Sequence, residues 1–248
     1  MKSKLTTFLL LLIMAVTMTS CAGRNGGALC ITLDDRYFQS WDGAIPFFAK
    51  YDARVTFFVY GGIDDTALAY MKKLQDAGHT IGLHSLTHAK AGDYYQANGD
   101  GAYTAAEIMP QLKICQAKGI RIRAFAYPSS QRTPETDVEL FRNFDFLRTN
   151  CSAVKGDDQP LAEADGCFVK NPAAKQLFYG VGVGGDFDVE AVKAAIRRAA
   201  EEESVLVLYA HDITKEIPPS HHIAYSQLEA ILEYAREVGL PVRGLNEL

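Results

Sequence analysis

The sequence predicts an α/β fold in which helices cover a parallel sheet. Short apolar runs rich in β-branched and aromatic residues alternate along the chain with amphipathic stretches of helical period. The chain has 248 residues, of which 48% are hydrophobic and 22% charged, so it can bury the core of one large domain. We expect that domain to span residues 28–248, with the sheet either open or closed.

Seven segments are predicted as strands because each is a short apolar run next to turn-forming or charged residues. In chain order they are ALCITLDD (28–35), ARVTFFVYGG (53–62), HTIGLHS (79–85), IRIRAFAYP (120–128), FDFLRT (144–149), SVLVLYAHD (204–212) and the weaker PVRGL (241–245).

Helical periodicity and capping signals predict helices between these strands. The helices cover residues 43–52, 65–78, 104–119, 134–143, 188–203 and 226–239. Asp65 is a candidate N-cap of the second helix. Thr104 and Glu107 form a candidate capping box at the start of the third helix. Pro110 either kinks that helix or marks its true start.

The first residues of the chain have the layout of an export signal. Two lysines precede the apolar run FLLLLIMAV (8–16), which is too short to span a bilayer easily, and MTSC (18–21) follows. This predicts a secretory signal at residues 1–20. MTSC resembles the lipobox of bacterial lipoproteins, which implies a lipidated Cys21, a flexible tether over 21–27 and a membrane anchor in the bacterial cell envelope. An ordinary signal peptide with a chance cysteine is the alternative.

Charge and cysteine usage narrow the functional classes further. The formal net charge of -5 argues against a nucleic-acid partner, because phosphate backbones are bound through basic surfaces. An exported protein meets an oxidising compartment, so Cys151 and Cys167 could form a disulfide. Cys30 lies in an apolar run and is expected to be a small buried hydrophobe. No cysteine spacing matches a zinc ribbon.

Chemically reactive side chains cluster where the predicted strands end. The carboxyl ends of parallel strands meet at one edge of the sheet, and here those ends read TLDD, GLHSLTH, AFAYPSS, FLRT and YAHD. His84 and His88, with either Asp34 or Asp35, supply the three ligands that a hydrolytic metal commonly takes. The other aspartate could then act as general base. His211 could protonate the leaving group, with Asp212 nearby to orient its ring.

These five segments, in this order, resemble the motifs of the polysaccharide deacetylases, carbohydrate esterase family 4. The resemblance covers most of the mature chain and implies a distorted (β/α) barrel of about seven parallel strands. It also implies metal-dependent removal of acetyl groups from carbohydrate. The roles implied are Asp34 as base, His211 as acid, and Asp35, His84 and His88 as ligands of one divalent metal. Zinc suits these ligands, with cobalt, nickel or iron as alternatives.

The chain also departs from the family pattern. Ala126 stands where a third-motif arginine usually pairs with the catalytic aspartate, and either Arg148 or Arg123 could supply the missing charge. Arg36 takes the place of a glycine, and Tyr209 that of a leucine that often lines the acetyl pocket. The side chains expected to contact substrate are Tyr127, Tyr209, Trp41 and Arg148.

These departures keep other functions open. The chain could be a catalytically silent carbohydrate-binding lipoprotein, or the same site could act on an O-acetyl ester or a non-sugar amide. The remaining histidines are expected to be structural, with His79 packed where a helix ends and His221 and His222 exposed in a loop. The oligomeric state, the glycan and the choice of inner or outer membrane are left open by the sequence.

Overall fold

Seven parallel strands close into a barrel in the computed structural model, which describes residues 26–153, 156 and 158–248. With the short β6 the sheet has eight strands: β1 (Ala28–Asp35), β2 (Thr56–Val59), β3 (Thr80–Leu83), β4 (Ile122–Ala126), β5 (Phe146–Asn150), β6 (Phe168–Lys170), β7 (Gln176–Gly182) and β8 (Ser204–Ala210). The seven other than β6 form the barrel. They pair in the order β1-β2-β3-β4-β5-β7-β8, and β8 pairs back onto β1. The predicted seven-stranded (β/α) barrel is confirmed.

The short strand β6 is the one member of this sheet that runs antiparallel to its neighbour. It pairs with the first half of β8, at residues 204–206, while β7 pairs with β8 at residues 208–209. Two further strands, β9 (Ile213–Thr214) and β10 (Ile223–Ala224), form a separate parallel pair beyond the end of β8.

Helices surround the barrel on its outside. They are α1 (Phe38–Gly43), α2 (Ile45–Lys50), α3 (Asp65–Asp76), α4 (Ala91–Asn98), α5 (Met109–Ala117), α6 (Pro134–Leu140), α7 (Val189–Glu201) and α8 (Tyr225–Glu237), with a π-helical turn at Thr104–Ile108 before α5. Within the described part of the chain, none of them has both the length and the apolar character needed to cross a membrane. The predicted signal segment and Cys21 lie outside the described residues.

Several predicted elements differ in detail. Strand β7 is not predicted, because Gly180 and Gly182 interrupt its apolar pattern. The weak PVRGL segment forms only an isolated bridge between Leu29 and Val242. The expected helix at 43–52 is the shorter α2, and an additional helix, α1, precedes it. Helix α3 is capped by Asp64, whose side chain accepts the Ala67 N–H at 2.7 Å, rather than by Asp65.

Two apolar cores hold the fold together, one inside the barrel and one between the barrel and its helices. The interior core is formed by Ala28, Cys30, Phe58, Ala124, Ala126, Phe146, Phe178, Val205, Val207 and Leu245. Large and small side chains alternate in it: Gly82 stands beside Phe58 in the register of β2 and β3. A Cβ atom on Gly82 would lie 2.4 Å from Phe58 Cδ1 and 2.5 Å from Cε1.

We therefore expect Gly82→Ala to destabilise the barrel by about 1–3 kcal/mol, because the added methyl must displace a fully buried ring. The measurement is the free energy of unfolding in denaturant. Gly43→Ala is the matched control, since a Cβ there meets nothing within 4 Å, and it should change that free energy by less than about 0.5 kcal/mol. Equal stability of the two variants would contradict the packing described.

His79 has the structural role that the sequence predicts. It is buried, its Nδ1 accepts the Val55 N–H at 3.2 Å, and its ring meets Phe48 and Phe57 edge-on. Burial, and then the positive charge of Arg54, lowers the pKa of His79 to about 4. The imidazole is therefore neutral in the folded protein at pH values where the unfolded chain, with a pKa of about 6.5, already binds a proton.

The sign of this shift gives a pH dependence. The unfolded chain binds more protons between pH 6.5 and 4, so His79 contributes stability that is complete above pH 6.5 and lost as the pH falls to about 4. In metal-depleted protein, His79→Phe should flatten the fall in unfolding free energy across this window by up to about 3 kcal/mol. If wild type and variant lose stability in parallel, His79 is not held neutral by the fold.

Candidate active site

The carboxyl ends of the barrel strands surround an open cavity of about 380 Å³. Its lining residues come from five strand ends and the loops that follow them, which are the segments the sequence singles out. They are Asp34, His84, His88, Tyr127, Ser129, Ser130, Arg148, Asn150, Tyr209, His211 and His221.

Asp35, His84 and His88 form a three-residue group beside this cavity. The Nε2 atoms of both histidines lie 3.8 Å from Asp35 Oδ1, and one ligand atom from each of the three residues lies within 4.8 Å of the others. Residues distant in sequence converge here because β1 and β3 end at the same edge of the barrel. One carboxylate and two imidazoles match the donor set of a catalytic zinc site.

The protonation of His84 suits a ligand role. Its Nδ1 lies 2.8 Å from the Ala126 carbonyl oxygen, so an Nδ1–H donated there leaves the Nε2 lone pair facing Asp35. Burial lowers the pKa of His84 to about 4, although the negative charge of Asp34 opposes this effect. The imidazole is therefore neutral near pH 7, as metal coordination requires.

Backbone strain is concentrated in the same group. Asp35 and His88 have φ angles of 85° and 60°, and Ser85 has 67°, all in the left-handed region that non-glycine residues avoid. Each such residue costs about 1–3 kcal/mol, and the surrounding structure must hold it in place. The strain therefore marks the ends of β1 and β3 as segments shaped for a ligand.

Glu107 holds the loop that carries His88. Its side chain is buried, Oε2 accepts the Thr87 N–H at 2.7 Å, and Oε1 accepts the Thr87 hydroxyl at 2.8 Å. The Leu86 N–H donates to the Glu107 backbone carbonyl at 3.0 Å. The predicted capping box with Thr104 is wrong, because this glutamate reaches across to the neighbouring loop instead. The sequence carries no signal for that contact.

Glu107→Gln should therefore weaken metal binding by about 10–100-fold, because the loop between the two imidazoles loses a charged acceptor. The measurement is titration of metal-depleted protein with Zn²⁺ in a calorimeter. Glu139→Gln is the control: Glu139 is equally buried, but its Oε1 accepts the Thr104 N–H, away from this loop. Affinity lost equally in both variants would mean that Glu107 acts only on global stability.

Asp34 and Arg148 form a buried ion pair next to this group. Arg148 Nη2 donates to Asp34 Oδ2, and the two side chains are only 1% and 3% exposed. Burial raises the pKa of Asp34, but Arg148, His84 and His211 together outweigh it and hold the pKa below the ordinary value. No protein donor among the described residues contacts the other oxygen, Oδ1.

This ion pair decides between the two arginines left open by the sequence. Arg148, on β5, reaches the Asp34 carboxylate, whereas Arg123 pairs with Asp145 at 2.6 Å on the far side of the barrel. Arg148 also lines the cavity while its guanidinium is engaged with Asp34, so its expected contact with substrate stays a prediction. The charge missing at Ala126 comes from the adjacent strand, with which Ala126 pairs in register.

His211 lies across the cavity from Arg148 and is oriented by a backbone carbonyl. Its Nδ1 lies 2.9 Å from the His221 oxygen, and its Nε2 lies 4.0 Å from Asp35 Oδ2. The expectation that Asp212 orients this ring is wrong, because Asp212 accepts hydrogen bonds from Ser40 and the Ile213 N–H. His221 is exposed, as predicted, but it also lines the cavity.

One predicted substrate contact is wrong because of burial. Trp41 is fully buried in the outer core, and its Nε1 donates to the His211 carbonyl at 3.0 Å, so it has no ring face open to a ligand. Tyr127 lines the cavity, although it is 1% exposed and its hydroxyl donates to Asp137 at 2.7 Å, and its contact with substrate stays a prediction. Arg36 turns away from the cavity to Gly62 and Asp64. Of the expected aromatic contacts, Tyr209 remains half-buried at the cavity wall.

Comparison with known proteins agrees with this architecture. A family model described as polysaccharide deacetylase matches residues 23–144. No curated protein matches the chain. The match covers just under half of the chain, and over that part the protein is similar to polysaccharide deacetylases.

Solved structures with similar folds extend the likeness over most of the chain. A chitin deacetylase from the fungal pathogen Colletotrichum lindemuthianum is 13% identical, with 90% of this chain and 87% of that one covered and a TM-score of 0.57. A family 4 carbohydrate esterase from Streptomyces lividans is 18% identical over 90% and 95%, with a TM-score of 0.52. The catalytic domain of a peptidoglycan N-acetylglucosamine deacetylase from Eubacterium rectale is 18% identical over 90% and 93%, with 0.51. At these identities the likeness shows the shared fold.

Proposed function

We propose that this protein is a metal-dependent hydrolase that removes acetyl groups from N-acetylated carbohydrate, with Asp34 as general base and His211 as general acid. The observation that carries this proposal is a buried, ionised carboxylate with one oxygen free of protein donors, placed beside a group of one carboxylate and two imidazoles. The match of residues 23–144 to the polysaccharide deacetylase model supports the class of reaction.

Asp35, His84 and His88 would hold the metal. A divalent cation bound by them would lower the pKa of a water molecule and polarise the carbonyl oxygen of an acetyl group. Zinc suits this donor set, and cobalt, nickel or iron would bind similar ligands.

Asp34 has the properties of a general base. Its Oδ2 accepts from Arg148, which keeps the carboxylate ionised and fixes its orientation. Its Oδ1 is buried and has no protein donor among the described residues, so its capacity to accept a proton is not used by the protein itself. In this arrangement one oxygen of the carboxylate positions the side chain and the other takes part in the chemistry.

His211 has the properties of a general acid. With Nδ1–H donated to the His221 carbonyl, its Nε2 is the nitrogen left to carry a proton toward a leaving amine. That nitrogen lies 4.0 Å from Asp35 Oδ2, on the side of the metal-ligand group. His211 also lines the same cavity as Asp34, so a substrate bound there can meet both groups.

The cellular setting forms part of the proposal. The lipobox-like MTSC supports export and lipidation at Cys21, which would place the enzyme on a bacterial envelope membrane, next to acetylated glycans. The argument for a catalytically silent, carbohydrate-binding protein is that Ala126 replaces the third-motif arginine. Because Arg148 pairs with Asp34 instead, that argument loses its basis.

The test is acetate release from N-acetylated oligosaccharides by native, metal-depleted and zinc-reconstituted protein. We expect activity to disappear with the metal and to return with zinc. His84→Ala should lose both metal and activity, and Asp34→Asn should keep its metal while kcat falls by about 10²–10⁴-fold. His222→Ala removes an imidazole outside the ligand group and should retain a full equivalent of zinc.

The outcomes separate the candidate functions. Full acetate release without metal would refute metal dependence. Glycan binding without acetate release in the zinc-loaded protein would favour the binding-only function. Release only from O-acetyl esters or non-sugar amides would keep the chemistry and change the substrate.

A further inference from the structure

The Arg148 guanidinium lies against two aromatic rings inside the barrel. Its Cζ is 4.7 Å from the centroid of the Tyr209 ring and 5.4 Å from that of Phe58. Both distances fall within the range at which a guanidinium is attracted to an aromatic face. Phe58 belongs to β2 and Tyr209 to β8, the two strands that flank β1 in the closed sheet.

The glycines of β7 leave the space that Tyr209 occupies. A Cβ on Gly180 would lie 3.0 Å from Arg148 Cδ and 3.2 Å from Tyr209 Cδ1, and a Cβ on Gly182 would lie 3.2 Å from the Tyr209 hydroxyl oxygen. Side chains at these positions would push the ring or the arginine stem out of place. Gly180 and Gly182 thus give β7 a surface without side chains beneath the Tyr209–Arg148 contact.

The hydrogen bonds of Arg148 alone leave it weakly oriented. Nη2 donates to Asp34, whereas Nε is buried without an acceptor among the described residues. A single charged hydrogen bond fixes a point of the guanidinium and not its plane. The plane is therefore set by what packs against its faces, and Tyr209 is the nearer ring.

We propose that Tyr209 is a positioning residue: its ring, seated on the β7 glycines, holds the Arg148 guanidinium in the orientation that presents Asp34 to the cavity. This inference rests on the proposed function of Asp34 as general base. It assigns to the tyrosine at the leucine position of the family a task different from lining an acetyl pocket.

The experiment compares Tyr209→Phe, Tyr209→Leu and Tyr234→Leu in zinc-loaded full-length protein. Phenylalanine keeps the aromatic face, and leucine removes it. Tyr234 is the matched control, because it makes the same kind of contact with Arg197, 5.8 Å from Cζ to the centroid, on the outer surface between α7 and α8. The readouts are kcat and KM for acetate release, and the NMR signal of the Arg148 Nε–H, identified by its loss in Arg148→Lys.

We expect Tyr209→Leu to lower kcat about tenfold with KM changed less than about threefold, while Tyr209→Phe and Tyr234→Leu remain near wild type. The Arg148 Nε–H signal should be shifted by the Tyr209 ring current in wild type and in Tyr209→Phe, and should return toward an ordinary arginine position in Tyr209→Leu.

Three results would overturn the proposal. A kcat and an Arg148 signal unaffected in Tyr209→Leu would show that the ring does not hold the guanidinium. Equal loss in the phenylalanine and leucine variants would assign the effect to the hydroxyl. A rise in KM alone would make Tyr209 a substrate contact. The NMR readout needs no catalysis, so a wild-type protein that releases no acetate would defeat the proposed function while the Arg148 signal still decides the role of Tyr209.

Discussion

The buried ion pair between Arg148 and Asp34 is the interaction that constrains the rest of the barrel. Removing both charges from water costs several kcal/mol per ion, and this cost is offset only when the pair is close and its surroundings are shaped for it. The interior accordingly changes character along its axis. Apolar side chains fill one end of the barrel interior. Toward the other end, the small residues Gly82, Ala126 and Gly180 leave room for the Arg148 guanidinium and the rings beside it.

The same constraint separates the tasks of two adjacent carboxylates. Successive residues of a strand point to opposite sides, so Asp34 faces the barrel interior and Arg148. Asp35, the last residue of β1, takes a left-handed conformation that brings its oxygens within 4.0 Å of three histidine nitrogens. One aspartate is thus neutralised by an arginine, and its neighbour is left among imidazoles, where a cation would complete the charge balance.

The sequence was sufficient for most of this architecture and for the cluster of site residues. Apolar runs ending in Asp, His or Arg predict the strands and their functional ends, because local composition determines both. It was insufficient wherever the outcome depends on contacts between distant segments. Strand β7 is not predicted from the sequence, because its glycines make room for Tyr209 on β8. Trp41 is expected at the cavity, whereas its indole packs in the outer core. The choice of Arg148 over Arg123 follows from which face of the barrel each strand residue occupies.

Anomalous diffraction from zinc-soaked crystals tests the central claim most directly, because it locates the ion and the ion pair together. We expect one peak, with Asp35 and the Nε2 atoms of His84 and His88 about 2.0–2.2 Å from it. The Asp34 carboxylate should remain on Arg148 and outside the coordination sphere. A peak elsewhere, or Asp34 turned away from Arg148 to coordinate the ion, would contradict the division of labour between the two aspartates.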